Sequence, residues 1–175
     1  ELKLLIMSAT IETSPIAALI GGAPVIACQG RSFAVDTRYV GHHTPVFSAD
    51  AVANGVLSAA RKKSGSILVF LPGAAEIRQV ARRLQKSGLG SDWIIAPLFG
   101  NLPRSAQNEA ILPAPDGKQK IVLATSIAET SLTIEGIRVV VDSGLQRISR
   151  FDVRSGLTRL VTVPVSQASA DQRRG

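Results

Sequence analysis

Cysteine, histidine and long apolar runs are scarce in this 175-residue chain, and each scarcity excludes a class of protein. A single cysteine, Cys28, excludes a disulfide framework or a cysteine-based zinc cluster and suits a reducing compartment. The only histidines, His42 and His43, are adjacent and have no partner cluster for metal binding or charge relay. No apolar run approaches the roughly 18 residues that cross a bilayer, and the N-terminus has no signal-peptide pattern. With 45% hydrophobic and 19% charged residues, the chain is expected to fold around an apolar core.

Familiar signatures of catalysis are missing as well. The sequence contains no G-x-x-x-x-G-K-[ST] phosphate loop, no G-x-S-x-G nucleophile elbow and no H-E-x-x-H metal motif. By its own residues, the chain therefore has no complete catalytic constellation and no metal site.

Positive charge is plentiful and unevenly distributed. The net charge is +7, and residues 145–175 hold six basic residues against two acidic ones. All six are arginines, whose planar guanidinium groups suit bidentate phosphate contacts: Arg147, Arg150, Arg154, Arg159, Arg173 and Arg174. A solvated charged face is the ordinary interpretation of such a run, but the all-arginine composition favours phosphate recognition.

Apolar runs alternate with amphipathic stretches, which predicts an α/β fold with an open, doubly wound parallel sheet. After Gly144 the period changes to that of a β-hairpin with a glycine-containing turn. Strands are predicted at residues 2–7, 67–71, 93–99, 120–124 and 138–142, helices at 51–63, 74–86 and 105–112, and hairpin strands at 146–151 and 157–163. Ser126-x-x-Glu129 has the pattern of a capping box and predicts a helix start within residues 125–136. A domain boundary is expected near residues 30–45.

Small polar residues follow four of the predicted strands. In an open parallel sheet, ligands gather at the carboxyl ends of the strands, where backbone N–H groups and hydroxyls suit phosphate oxygens. A serine or threonine there is usually only a helix cap, but four such ends beside an arginine-rich segment predict a nucleic-acid backbone track. The four ends are Ser8-Ala9-Thr10, Pro72-Gly73, Gly100-Asn101 and Thr125-Ser126.

Several of these segments, in this order, resemble the motifs of DEAH-box helicases. Ala124–Ile137 resembles motif V over fourteen consecutive residues, and residues 67–77 resemble motif IV. Ser8-Ala9-Thr10 resembles motif III, residues 97–103 resemble a phosphate-contacting segment, and Gln167–Gly175 resembles the opening of motif VI. The run from Phe151 to Ser169, together with Ile111–Pro115, resembles the bacterial HrpB-like branch of the family.

The resemblance implies a RecA-like fold, with helices on both faces of the parallel sheet and an added β-hairpin. Residues 1–30 would be the end of a first RecA-like lobe and residues 31–175 most of the second, cut within motif VI. The intact protein would be an ATP-dependent RNA helicase using ATP and Mg²⁺. Its finger arginines would follow Gly175, so the 175 residues alone are expected to bind no cofactor and to lack ATPase activity.

The resemblance also implies roles for individual residues. Gln172 and Ser131 would act at the γ-phosphate, Glu135 would hold the ATP ribose, and Ser8 and Thr10 would couple hydrolysis to lobe movement. The RNA backbone would be contacted by Gly100, Asn101, Thr125 and Ser126, and the hairpin at Gln146–Val163 would guide the strand. Single-stranded RNA and the first lobe would be the partners, in a bacterial cytoplasm and with no membrane.

Two alternatives remain open from the sequence. A non-enzymatic RNA-binding or protein-docking module could keep the RecA-like fold without the motor. A DNA-directed helicase is also compatible, because motifs that read a backbone do not identify the sugar unless a 2′-hydroxyl contact is made.

Overall fold

The chain, seen in a computed structural model, forms two compact units, Glu1–Arg38 and Tyr39–Gly175. The structure describes residues 3–7, 13–27, 34–40, 46–62, 65–129 and 133–175. In the first unit, helix α1 (Thr13–Leu19) has no buried residue. The strand predicted at residues 2–7 is wrong for its described part, because residues 3–7 pair with no described strand. An extended segment becomes a strand only when a neighbour accepts its backbone hydrogen bonds.

The second unit is built on a four-stranded sheet of order β2-β3-β1-β4 in which every neighbouring pair is parallel. The strands are β1 (Ser66–Phe70), β2 (Trp93–Leu98), β3 (Gln119–Ala124) and β4 (Ile137–Asp142). The two central strands, β1 and β3, are continuous apolar runs that are buried on both faces, as covered parallel strands must be. The predicted open parallel sheet is confirmed.

Helices cover both faces of the sheet, as the fold class predicts. On one face, α2 (Ala49–Arg61) and α3 (Ala74–Lys86) bury an apolar stripe against the alternate strand residues Ile67, Val69, Ile121 and Leu123. On the other face, α4 (Arg104–Ile111) packs Ala110 against Phe70, Leu98, Val122 and Ala124. Because strand side chains alternate between faces, the uninterrupted apolar runs of β1 and β3 supply both cores. None of the described helices is long and apolar enough to cross a membrane.

Helix α3 shows how the sequence sets the ends of an element. Ile77, Val80 and Leu84 are buried at helical spacing, and Arg83 and Lys86 lie in the last turn, where cations favour the helix dipole. The helix ends at Lys86 with Ser87 as its C-cap, and Gly88 follows with φ +71°, a left-handed conformation that glycine adopts without strain.

Lys120 lies buried at the start of β3 and closes the end of α4. Its ammonium donates hydrogen bonds to the carbonyls of Glu109 and Leu112, which have no partner within the helix. Burial lowers the pKa of Lys120 below its ordinary value, and the nearby Glu109 charge raises it in part.

The predicted β-hairpin is present as β5 (Leu145–Asp152) and β6 (Leu157–Pro164). Asp152 accepts hydrogen bonds from the Ser155 hydroxyl and the Arg154 backbone, and these contacts lower the pKa of its carboxyl group. Gly156, with φ +65°, completes the turn. Most of the hairpin is exposed, and the register places Arg150 directly opposite Arg159.

The predicted helix and capping box after β3 are wrong in the described residues. Residues 126–128 form a single 3₁₀ turn capped by Thr125, with no side-chain hydrogen bond at the cap. The Glu129 carboxylate, which a capping box would direct back to Ser126, instead accepts hydrogen bonds from Ser169 and Arg173. A buried guanidinium competes for a carboxylate more strongly than a solvated backbone N–H does.

Candidate nucleic-acid interface

The carboxyl ends of all four strands lie at one edge of the sheet, and backbone hydrogen bonds connect the segments that follow them. Thr125 N donates to Leu98 O at 3.2 Å, Leu71 N to Ala124 O at 2.8 Å, and Ser143 N to Phe70 O at 3.1 Å. These bonds continue the sheet by one residue beyond β1, β3 and β4. We call this row the carboxyl edge. It brings together three of the four predicted polar strand ends: Pro72-Gly73, Gly100-Asn101 and Thr125-Ser126.

The loop holding Gly100 and Asn101 projects from the carboxyl edge and is exposed. A Cβ added at Gly100 would meet no atom within 4 Å, so packing does not require a glycine at this position. Gln107 of α4 fixes the loop, because its amide donates to the carbonyls of Gly100 at 3.3 Å and Leu102 at 2.8 Å. The half-buried Gln107, whose amide makes these contacts, was not predicted. Only its spacing from Gly100 could have indicated the contact.

Thr125 and Ser126 lie at the middle of the carboxyl edge, between the ends of β2 and β1. Thr125 is half-buried and Ser126 is exposed. No side-chain hydrogen bond caps the 3₁₀ turn that they begin. Two hydroxyls therefore lie at the middle of the carboxyl edge, and hydroxyls are donors that suit phosphate oxygens.

Gln172 lies on α5 (Gln167–Arg174), whose N-cap Ser166 accepts a hydrogen bond from Ser169 N. Its side-chain amide donates to the Glu129 carbonyl at 3.1 Å, which places Gln172 beside the 3₁₀ turn. Gln172 therefore contacts the C-cap residue of the 3₁₀ turn that Thr125 and Ser126 begin.

Glu135, by contrast, lies at the opposite edge of the sheet. It precedes β4, and the carbonyl of its neighbour Gly136 accepts a hydrogen bond from Ser66 N at the start of β1. The six residues of β4 separate it from the carboxyl edge, a length of roughly 20 Å for a strand. The exposed Glu135 and the half-buried Gln172 thus lie at opposite ends of one strand. The other predicted site residues, Ser8, Thr10 and Ser131, lie outside the described residues.

The arginines after Gly144 do not act as one set. The prediction of phosphate recognition is wrong for Arg173, because its side chain is only 2% exposed and pairs with Glu129 and Asp142. Arg147 pairs with Glu76, and Arg174 with Asp171. The remaining three are exposed on the hairpin and form no ion pair with a described residue: Arg150, Arg154 and Arg159.

The base of the hairpin rests on the segment after β1. Arg147 donates to Glu76 Oε1 at 2.9 Å, while Glu76 Oε2 is buried with no hydrogen-bond partner among the described residues. A Cβ at Gly73 would lie 2.7 Å from the Arg147 guanidinium, closer than side chains pack. Glycine at this strand end therefore leaves room for the Arg147 guanidinium to lie against the backbone, although this flexible side chain could shift for a larger residue.

Among the described residues, no group of three His, Cys, Asp or Glu side chains comes together to hold a metal ion. The chemistry available at the carboxyl edge is therefore that of hydroxyls, amides, backbone N–H groups and nearby guanidinium groups. These are donors for phosphate oxygens and carry no preference for a base.

Comparison with known proteins identifies the family to which this sequence is similar. The family described as helicase conserved C-terminal domain matches residues 49–175. The ATP-dependent RNA helicase HrpB of Escherichia coli is 52% identical over 175 residues, all of this chain and 22% of that protein. HrpA of the same organism is 39% identical over 180 residues, covering 14% of its length. A crystal structure of the E. coli DEAH/RHA helicase HrpB matches with a TM-score of 0.89 over 99% of this chain and 22% of the other. This chain therefore spans about a fifth of the length of HrpB.

Proposed function

Because the chain belongs to the helicase conserved C-terminal domain family, we propose that it forms part of an ATP-dependent RNA helicase. Residues 31–175 would be most of the second RecA-like lobe and residues 1–30 the end of the first. The observation that carries the proposal is the carboxyl edge, where Thr125-Ser126 follow the hydrogen-bonded strand ends and the Gly100-Asn101 loop follows the neighbouring strand β2. Gln172 lies beside the turn that Thr125 and Ser126 begin. The relatives named as ATP-dependent RNA helicases support the choice of nucleic acid and nucleotide.

Single-stranded RNA would lie along the carboxyl edge and be held through its backbone. Gly100 and Asn101 would present the exposed loop that Gln107 fixes, and Thr125 and Ser126 would donate hydrogen bonds to phosphates. The exposed hairpin arginines would guide the strand as it leaves the edge. Such contacts give binding that is independent of sequence and weakened by salt.

ATP would be the substrate, bound between this lobe and the first. Gln172 would approach the γ-phosphate at the carboxyl edge, together with Ser131, and Glu135 would hold the ribose. Since β4 separates Glu135 from Gln172, the nucleotide would run along a face of the sheet instead of across its edge. Ile134, next to Glu135, packs on the face covered by α4, which favours that face.

Magnesium, which the intact enzyme is expected to use with ATP, finds no ligand cluster among the described residues of this chain. Ser8 and Thr10 would couple hydrolysis to lobe movement, with the first lobe as the partner within the same protein. The setting would be the bacterial cytoplasm.

ATP turnover tests this proposal. The 175-residue chain should hydrolyse ATP no faster than background, because it has no phosphate loop and the finger arginines of the family pattern would follow Gly175. A protein that joins it to a first lobe with a phosphate loop should show turnover that single-stranded RNA stimulates. Turnover by the 175 residues alone would contradict the proposal. An intact protein that binds RNA without turnover would be the non-enzymatic module, and stimulation by DNA alone would indicate a DNA-directed helicase.

A further inference from the structure

Arg173 carries a buried charge at the meeting point of four elements. Its side chain is 2% exposed, its Nε donates to Glu129 Oε1 at 2.7 Å, and an Nη donates to Asp142 Oδ1 at 3.0 Å. The guanidinium also lies 4.9 Å from the centre of the Phe70 ring. A guanidinium is taken out of water only where such partners compensate its lost hydration. Arg173 therefore fixes α5 against the ends of β1 and β4 and against the 3₁₀ turn.

Glu129 is the residue on which α5 converges. Its carboxylate accepts hydrogen bonds from Arg173 and from the Ser169 hydroxyl, and its carbonyl accepts one from the Gln172 amide. Ser169, Gln172 and Arg173 thus share one face of α5, because residues three and four apart on a helix are neighbours. The Gln172 side chain cannot leave its place without breaking a bond to the same residue that neutralises Arg173.

On its other side, Glu129 is joined to the RNA-facing residues. Its N–H donates to Ser126 O at 3.0 Å, and Ala128 N donates to Thr125 O at 3.3 Å, so the 3₁₀ turn forms one short rigid link. Thr125 is in turn held by Leu98 O at the end of β2. A shift of the backbone at Thr125 and Ser126 is therefore carried to Glu129 within a single turn.

We infer that Arg173 is a positioning residue that makes the placement of Gln172 depend on the turn carrying Thr125 and Ser126. The Arg173–Glu129 pair holds Gln172 toward the nucleotide while the turn contacts RNA, and so links RNA binding to ATP turnover. This inference rests on the proposed function, since it assigns Gln172 to the nucleotide and Thr125 and Ser126 to RNA. It adds a residue that contacts neither ligand.

The test compares Arg173→Met with Arg174→Met in the intact helicase. Arg174 is the matched control, because it is the next residue, is half-exposed and, among the described residues, pairs only with Asp171 of its own helix. For Arg173→Met we expect RNA-stimulated kcat to fall about tenfold, while the KM for ATP and the Kd for RNA change less than about twofold. Arg174→Met should match the wild type. Arg173→Lys should recover part of the loss, because an ammonium keeps the charge but cannot bridge both carboxylates in the same fork geometry.

A second variant keeps the test decisive if Arg173→Met does not fold. Glu129→Gln keeps an oxygen that accepts from Arg173 and Ser169, so it preserves the shape of the cluster and removes only the charge. Glu129→Gln should lower RNA-stimulated kcat in the wild-type background. The double variant Glu129→Gln/Arg173→Lys should lose no more than Arg173→Lys alone, because changes to two residues of one network are not additive.

Three results would overturn the inference: two of them would leave the proposed function intact, and the third would not. Normal RNA stimulation in Arg173→Met and Glu129→Gln, with a stimulated wild type, would mean that the cluster only stabilises α5. Parallel losses in RNA Kd, ATP KM and thermal stability would mean the same. A wild-type intact protein without RNA-stimulated turnover would instead remove the proposed function and the inference with it.

Discussion

Thr125 lies at the middle of the carboxyl edge, where its backbone is fixed by Leu98 and its hydroxyl faces no described cap partner. Thr125→Ala should weaken RNA binding by about 1 kcal/mol, or about fivefold in Kd, the net contribution of one hydrogen bond. The loss should be similar for every RNA sequence, because the contact is to the backbone. Fluorescence anisotropy with several single-stranded RNAs measures it. Ser91→Ala, which removes an exposed hydroxyl before β2 at the opposite edge, is the control. A loss confined to one sequence would contradict the assignment.

Lys120 gives a prediction about stability at the opposite edge. Burial lowers the pKa of its ammonium below 10.5, so the folded state binds fewer protons than the unfolded state between the folded pKa and 10.5. Stability therefore increases with pH in that window. We expect the free energy of unfolding of the wild type to rise relative to Lys120→Met as the pH approaches 10.5, and the difference to be constant below the window.

Urea denaturation at a series of pH values between 7 and about 10.5 measures this difference. Lys118→Met, which removes an exposed lysine two residues earlier, should show no such rise relative to the wild type. A difference between the wild type and Lys120→Met that shrinks as the pH increases would contradict the assignment of the lowered pKa to burial.

At the scale of elements, the hairpin combines a structural cost with a proposed function. Arg150 and Arg159 are directly opposed across β5 and β6, and like charges so placed destabilise a strand pair. Arg159→Glu should therefore protect the hairpin amides from hydrogen exchange, since an opposite-charge pair contributes about 0.2–1 kcal/mol. The same change should weaken RNA binding and lower the slope of log K against log salt by about 1.

Lys86→Glu is the matched control for Arg159→Glu. It makes the same change in net charge at the end of α3, at the edge of the sheet from which β2 starts. Equal weakening of RNA binding by the two variants would show that net charge alone is responsible, and would contradict a contact with the hairpin.

Most elements could be predicted from the sequence because their signals are local. Each signal comes from residues that are close together in the sequence. Examples are the apolar stripe of α3, the apolar runs of β1 and β3, and the glycine turn of the hairpin. The 3₁₀ turn after β3 could not be predicted in place of a capped helix, because the Glu129 carboxylate binds Arg173, which is 44 residues away in the sequence. The prediction of a strand at residues 2–7 was wrong because a strand needs a neighbouring strand to pair with, and its own residues do not specify that neighbour.

The candidate site was predictable in part. The register of a parallel sheet brings the ends of β1, β2 and β3 to one edge, so polar strand ends sufficed to place Gly100-Asn101 and Thr125-Ser126 together. The arginine-rich composition did not show which side chains face solvent. Arg173 can be buried because Asp142 and Glu129 pair with it. These two carboxylates lie in other segments of the chain, and no pattern within α5 indicates that they contact it.

At the scale of the whole molecule, the residues proposed for ATP lie at both ends of the sheet, and Gln172 shares one of those ends with the residues proposed for RNA. The carboxyl edge holds Thr125, Ser126 and Gln172, while Glu135 lies roughly 20 Å away at the other end of β4. The central claim is that the carboxyl edge, with the hairpin beside it, is a track for the RNA backbone. Two kinds of contact can be measured separately. Hydroxyls add hydrogen bonds to the RNA backbone, whereas arginines bind phosphates and release the counterions held by the RNA, which makes binding depend on salt.

The most direct measurement is the salt dependence of single-stranded RNA binding by this chain, followed by fluorescence anisotropy. The wild type should bind several RNA sequences with one steep salt slope. The double variant Thr125→Ala/Ser126→Ala should lose affinity at every salt concentration without a change in slope, whereas Arg159→Glu should reduce the slope. Absence of binding even at low salt, or an unchanged affinity in the double variant, would contradict the account.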